Sequence, residues 1–312
     1  MIDLLNCKSV QRLKGISQFG LPQEYYHLPI FSRYEHSLGV LSLLIKLNAE
    51  LKEQIAGLLH DVSHTAFSHT IDWVFGDPTK EDFQDKLHEN IIEKSEIKDI
   101  LIKYGYDYKE ISSVKNFSLL ERESPSLCAD RIDYTLRETA LRIDLEKAKF
   151  CFNSLIKHNN CFAFKSIDAA KIFSDMYVKF QQEHWGGNEA KARYHILAEI
   201  LKIGIQKKFI YFQDFKKTDD FVINLLKNRK DEDILYGLEL LKNGFLIKAS
   251  EDGNVELKSK FRYIDPEILI ENQIKKLSEI SNEYKTILEN EKENYKNYVR
   301  VNILRLNAQR NL

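Results

Sequence analysis

Few residues in this 312-residue sequence would interrupt a helix: proline occurs five times and glycine twelve. That scarcity leaves long unbroken stretches for helices, and no low-complexity linker or internal repeat is visible. Cysteine is sparse as well. Cys7, Cys128, Cys151 and Cys161 form no C-x-x-C pair, which speaks against a disulfide framework and for free thiols in a reducing compartment. Charge of one sign is missing: 46 basic residues face 47 acidic ones, a net charge of −1 at pH 7. A general nucleic-acid or membrane-surface binder is therefore not indicated, although a basic pocket can hide in a neutral total. No apolar run approaches the roughly 20 residues that span a bilayer. The opening "MIDLLNCKSVQRLKG" lacks the build of a cleaved signal peptide. The expectation is a cytoplasmic protein.

What is present is an ordinary globular balance, 43% hydrophobic and 30% charged, with enough length for a substantial core. "YEHSLGVLSLLIKLN" and "LKEQIAGLLHDVSH" carry apolar residues near the helical repeat. "SPSLCADRIDYTLRETALRI" predicts a helix opening at Ser124-Pro125. "IFSDMYVKFQQEHW" and "EAKARYHILAEILKIGIQKKF" predict two more, split by Gly186-Gly187. From residue 244 the pattern alternates around "EDGN", a two-strand hairpin signal. Beyond Pro266 a stripe of Ile270, Ile274, Leu277, Ile280, Tyr284, Ile287 and Leu288 predicts a long helix. Packing on its own domain is preferred for it over a partner-binding coiled coil. The organisation expected is a helical body over 1–205 and a smaller helical and hairpin segment over 206–312.

"LLHDVSHTAFSH", residues 58–69, spends a third of the nine histidines in twelve positions. Burying His60, Asp61, His64 and His69 in an apolar segment is costly unless each has a partner, and a metal ion supplies one. His36 lies on the preceding helix and Asp130 on a later one. Two imidazoles and two carboxylates form a mixed N/O site suited to Mn, Fe, Ni, Co or Zn, with positions left open for water and substrate. His64, four residues after His60, is expected on the same helix face. A protonated imidazole there binds a phosphate oxygen or protonates a leaving group, with Asp72 holding the cation. Arg33 lies one turn before His36, and its planar fork suits phosphate. Asp130, Tyr134 and Arg137 make one stripe. A plain salt bridge competes with function at Arg33 and Arg137, as core hydrogen bonding does at Gln18 and Tyr134.

The order H…HD…D resembles the HD phosphohydrolase superfamily. "VQRLKGISQFG", "SRYEHSLGV", "LLHDVSHTAFSH", "LHENII" and "ADRIDYTLRE" are similar, in order, to blocks of the dNTP triphosphohydrolase branch, which includes the SAM- and HD-domain dNTPase. The resemblance covers about residues 10–140. It implies a mainly α fold with an HD-domain helical core, to which the patterns above add a small C-terminal β-hairpin and a long C-terminal helix. It places one divalent metal on His36, His60, Asp61 and Asp130, with Mg as a further ion on the substrate phosphates. His64, His69, Asp72 and His88 match catalytic positions, Arg33 a phosphate-contacting arginine, and Gln18 and Tyr134 residues beside the sugar. Arg131, next to Asp130, is counted with the substrate-binding residues.

The activity implied is metal-dependent nucleotide phosphohydrolysis, with a dNTP cleaved to deoxynucleoside and triphosphate. The partner is a nucleotide or other phosphoester, and homo-oligomerisation stays open. One segment departs from the branch: "WGGNEAKA" stands where further basic and tyrosine residues should grip the triphosphate, leaving Arg193 and Tyr194 as candidates. A mono- or diphosphate substrate, a cyclic-dinucleotide or alarmone hydrolase, and a regulatory HD protein acting through binding are the alternatives.

Overall fold

The computed structural model describes residues 1–258, 260–296 and 298–305. Eight helices matter here: α1 Arg33–Lys46, α2 Leu51–Leu59, α3 Ala129–Arg142, α4 Ile167–Phe180, α5 Asn188–Gln206, α6 Asp219–Asn228, α7 Glu232–Asn243 and α8 Asn282–Asn294. The strands are β1 Leu155–His158, β2 Cys161–Phe164, β3 Phe245–Ala249, β4 Val255–Lys258, β5 Glu267–Ile270, β6 Gln273–Lys276 and β7 Tyr298–Arg305. The fold is mainly α, as expected.

Each helix of the site begins or ends for a visible reason. At the start of α1, Ser32 and Glu35 close a reciprocal cap: the Ser32 hydroxyl accepts from the Glu35 amide and the Glu35 carboxylate from the Ser32 amide. α2 stops at Leu59. The carbonyls of Val62 and His64 just beyond it accept from the Arg12 guanidinium, at 2.9 and 2.8 Å. The helix expected to open at Ser124-Pro125 instead starts at Ala129.

Two buried apolar clusters make the core. One gathers Val40, Leu44, Leu58, Leu59 and Ile132 with Phe162, Phe164, Phe173, Tyr284 and Leu288. The other gathers Phe19, Phe31, Phe67, Leu197, Leu201, Phe215, Leu238 and Val301. Val62 belongs to the first and Ala66 and Phe67 to the second, while Tyr134 packs against both. The turn after α2 therefore crosses the seam between the clusters.

Two small sheets complete the fold, in the strand orders β1-β2-β5-β6 and β3-β7-β4. The expected strands flank "EDGN", but they do not pair with each other: β7 lies between them, antiparallel to both. Gly253 is the physical reason. A Cβ there would stand 2.6 Å from the Val301 backbone nitrogen, so the missing side chain lets β7 approach. A small C-terminal hairpin is present as β5 and β6, paired from Glu267↔Lys276 to Ile270↔Gln273. The apolar stripe after Pro266 is thus split: Ile270 and Ile274 lie in the hairpin, and the C-terminal helix α8 is 13 residues long. It buries Tyr284 and Leu288 on its own fold.

Candidate metal centre

His36 sits in the first turn of α1, His60 caps the end of α2 and Asp130 lies in the first turn of α3. One donor atom from each lies within 4.8 Å of the others. His36 Nε2 is 3.2 Å from His60 Nε2 and 2.9 Å from Asp130 Oδ1. Asp61 joins them, with Oδ2 3.8 Å from His36 Nε2 and Oδ1 3.5 Å from His60 Nε2. Both rings are pinned from behind. His36 Nδ1 donates to Asp133 Oδ2 at 2.8 Å, and His60 Nδ1 to the Gly57 carbonyl at 2.8 Å. Each therefore presents its Nε2 inward, the arrangement in which outer partners orient metal-ligating histidines.

The electrostatics favour a cation. Burial opposes the charged imidazole of His36, yet hydrogen bonds to Asp130 and Asp133 outweigh it and raise its pKa to about 9. Burial likewise works against the Asp61 and Asp130 carboxylates. Arg33, His60 and His64 hold Asp61 well below its usual range, and His36 and His60 do the same for Asp130. A mixed N/O donor set of this kind, rigidly backed, fits a divalent ion.

The other candidates range along one side. Arg33 donates from Nη1 to Asp61 Oδ2 at 2.9 Å and from Nε to Ser68 Oγ at 3.0 Å. Its Nη2 reaches the Gln18 carbonyl at 3.4 Å, while Gln18 Oε1 is buried without a donor. His64 is not on the helix with His60. It follows the tight turn Asp61–Ser63, with its amide bonded to the Asp61 carbonyl, and its Nε2 is 3.3 Å from Asp61 Oδ1. Burial, then the Arg33 charge, pushes His64 down to about 3, so it is neutral rather than the cation expected. Asp72 stands beside His69 instead, Oδ2 to Nδ1 3.4 Å, and the His64 and His69 rings meet edge-on with centroids 5.0 Å apart. His88 bonds Ser63 Oγ through Nδ1 at 3.2 Å and leaves Nε2 without a partner; burial, then His60, lowers it to about 4.

Tyr134 bonds Tyr177 through the hydroxyls at 3.0 Å and meets the Trp185 ring edge-on. Arg131 turns away to the Ser126 carbonyl, Cys128 Sγ and Glu121. Arg137 is committed to Asp133 and to the Glu35 carbonyl. Arg193 ties the carbonyls of Tyr25 and Leu241 together, a structural task.

Three groups escaped sequence reasoning. Asp133, three residues after Asp130, was visible in "ADRID" but gains meaning only when α1 packs on α3. Arg12 holds the turn after α2 and has no local signal. Arg262, from the segment before β5, pairs with Glu81. Burial opposes the Glu81 charge, but Arg262 and then His69 lower its pKa to about 2. Arg262 thus reaches the His69 side of the site.

Residues 33–137 match the family described as HD domain, and the quartet above falls within that span. Protein YdhJ of Bacillus subtilis, described as uncharacterized, is 38% identical over 309 residues, covering 97% of this chain and 94% of that protein. The chain belongs to the HD-domain family. A metal-dependent phosphohydrolase of Cordyceps militaris is 27% identical, covering 86% of this chain and 80% of its own length. A Dictyostelium discoideum protein described as a homologue of the deoxynucleoside triphosphate triphosphohydrolase SAMHD1 is 24% identical over 88% of this chain and 59% of that one. The crystal structure of a Bacteroides thetaiotaomicron phosphohydrolase superposes with a TM-score of 0.66 at 17% identity, covering 90% of each chain. Within this HD-domain protein the His36, His60 and Asp130 cluster could hold a divalent ion.

Proposed function

We propose that this HD-domain phosphohydrolase cleaves a deoxynucleoside triphosphate to deoxynucleoside and triphosphate. The observation that carries this reading is the juxtaposition of the His36–His60–Asp61–Asp130 quartet with Arg33, His64 and His69 on one side and Tyr134 on another. In this reading the quartet holds one metal. When bound, the ion supplies Lewis acidity toward a phosphoryl oxygen and makes water acidic enough to attack phosphorus. Arg33, held by Asp61 and Ser68, keeps its second Nη hydrogens and its positive charge for the α-phosphate oxygens. Neutral His64, whose one N–H faces Asp61, and neutral His88 line the pocket beside the same oxygens. His69, backed by Asp72, holds the proton that passes to the 5′-oxygen as the P–O5′ bond breaks and the water oxygen bonds phosphorus.

Gln18 and Tyr134 flank the sugar in this reading, and a 2′-hydroxyl against a tyrosine ring has no partner. An unpaired buried hydroxyl costs roughly 1–3 kcal/mol, about a tenfold to hundredfold preference for deoxyribose. Metal-loaded enzyme given dATP or ATP, with products separated by ion-exchange chromatography, tests this. Tripolyphosphate from dATP and slower turnover of ATP are expected, and Tyr134→Ala should narrow that gap. Equal rates, or release of orthophosphate or pyrophosphate, would overturn the triphosphohydrolase reading and leave the metal-dependent phosphohydrolase. A shorter phosphate is the second reading, favoured by the commitment of Arg131 and Arg193 to protein partners.

A further inference from the structure

The stretch that follows α2 is held by two charges of opposite sign. Arg12 takes its carbonyls, with Nη2 donating to those of Val62 and His64. A carboxylate takes its amide at Phe67, which donates to Asp219 Oδ1 at 2.7 Å. The other oxygen of that carboxylate, Oδ2, accepts from the Ser17 amide at 2.8 Å. Asp219 is the first residue of α6, 152 and 202 residues from the two amides it joins. It lies well outside residues 33–137, the span that matches the HD domain.

From both amides a chain of contacts runs to the pocket. The Ser17 carbonyl accepts from Ser68 Oγ at 2.6 Å, and Ser68 Oγ in turn accepts from Arg33 Nε at 3.0 Å. Gln18, next to Ser17, offers its carbonyl to Arg33 Nη2 at 3.4 Å. Phe67 and Ser68 both have positive φ, 68° and 41°. Two consecutive residues with side chains persist in the left-handed region only where their surroundings over-determine them. His69 comes directly after them. The Asp219 side chain is buried, and burial raises its pKa to about 7 although both amides and Arg12 pull the other way. Burying a charge is costly, and a carboxylate here does what its amide cannot: each of its oxygens accepts from a different loop, whereas an asparagine would set its NH2 against one of the two N–H groups.

We propose that Asp219 is a positioning residue for the phosphate side of the catalytic pocket: by tying the Ser17 and Phe67 amides together it fixes Arg33 and His69 against the substrate's phosphoryl group. It acts through the two loops and touches no substrate atom itself. The inference rests on the reading of Arg33 as the phosphate-contacting arginine and is independent of how many phosphates the substrate carries.

Titration calorimetry of metal-loaded protein with inorganic phosphate, at pH 8 where the carboxylate is charged, tests this role. Asp219→Asn and Asp219→Ser should each weaken phosphate about tenfold or more while keeping the metal. Arg33→Ala should weaken it too, and the double variant Arg33→Ala/Asp219→Asn should lose less than the product of the two effects, since both act on one contact. Val222→Ala is the control for a merely structural role. It loosens the same helix in the core, three residues along, and should lower the unfolding temperature while leaving phosphate affinity essentially unchanged. If one Asp219 variant fails to keep its metal, the other decides; loss of metal from both would make Asp219 a support of the metal centre and overturn the proposal. Unaltered phosphate affinity in a metal-loaded Asp219 variant or in Arg33→Ala, an equal loss in Val222→Ala, or a wild type that binds no phosphate would overturn it as well. The products from dATP enter none of these outcomes, so failure of the triphosphohydrolase reading is seen separately.

Discussion

Asp133 touches none of the atoms at the centre of the quartet, yet it fixes which nitrogen His36 offers there. Outer partners of this kind typically change metal affinity 10–100-fold. Asp133→Asn should retain the fold and lose metal about 10–100-fold more readily to a competing chelator. Asp61→Ala or Asp130→Ala should abolish bound metal and turnover together, read by elemental analysis and a product assay. A double variant that still purified with stoichiometric metal would rule out this centre. Lys191, buried in the first turn of α5, gives the pH-dependent case. Its folded pKa of about 8 lies below the unfolded value of about 10.4. The fold thus disfavours the charged form, a penalty present in full below pH 8 and gone once the pH passes about 10.4. Lys191→Met should be more stable than wild type by about 1–3 kcal/mol at pH 7, and the gain should vanish near pH 10.5. Denaturant midpoints at the two pH values check it. Residues were legible where their partners lay nearby in sequence or in a known motif order. His36, His60, Asp61 and Asp130 were legible; Lys191 and Arg262 were not, because what distinguishes them is an environment assembled from distant segments.

Helices α1 and α3 can approach closely because Gly39 lies between them. A Cβ at that position would stand 1.7 Å from Asp133 Oδ1 and 2.3 Å from Arg137 Nη2. Gly39→Ala must therefore push α3 away or expel Asp133 from His36. A stability loss of about 1–3 kcal/mol is expected, with weaker metal retention; thermal unfolding and chelator competition read the two effects separately. Normal metal affinity in a destabilised variant would show that Asp133 does not act through this contact. The 3.6-residue repeat made α1, α2, α4 and α5 readable in sequence. It could not show that α2 ends at Leu59, since the turn after it depends on Arg12, some 50 residues upstream. That end decides chemistry: His64 reaches Asp61 through a turn, not through a shared helix face.

The candidate metal centre joins elements that hydrophobic packing also joins, so an ion bound there would be linked to folding. Metal saturation a thousandfold above Kd adds about 4 kcal/mol, roughly 6 °C for a chain of this length at about 2 cal/mol/K per residue. Removing the ion with a chelator should lower the unfolding temperature by about that much in wild type and leave Asp61→Ala/Asp130→Ala unchanged. Sequence periodicity showed which residues were apolar but not that they divide into two clusters with the turn after α2 on the seam. Nor could it show that the segment before β5 docks on the loop before α3, through Asp265 to Pro125 and Ser124 to Tyr263. That docking is what carries Arg262 to the site.

The insertion of β7 between β3 and β4 has a consequence for synthesis on the ribosome. Strands β3 and β4 emerge with neither able to pair until residues 298–305 follow, some 40 residues later. At about 5–20 residues per second, two bare strand edges persist for roughly 2–8 seconds in every nascent chain. Their Lys248 and Lys258 place positive charge on those edges, which discourages neighbouring nascent chains on one polysome from pairing there.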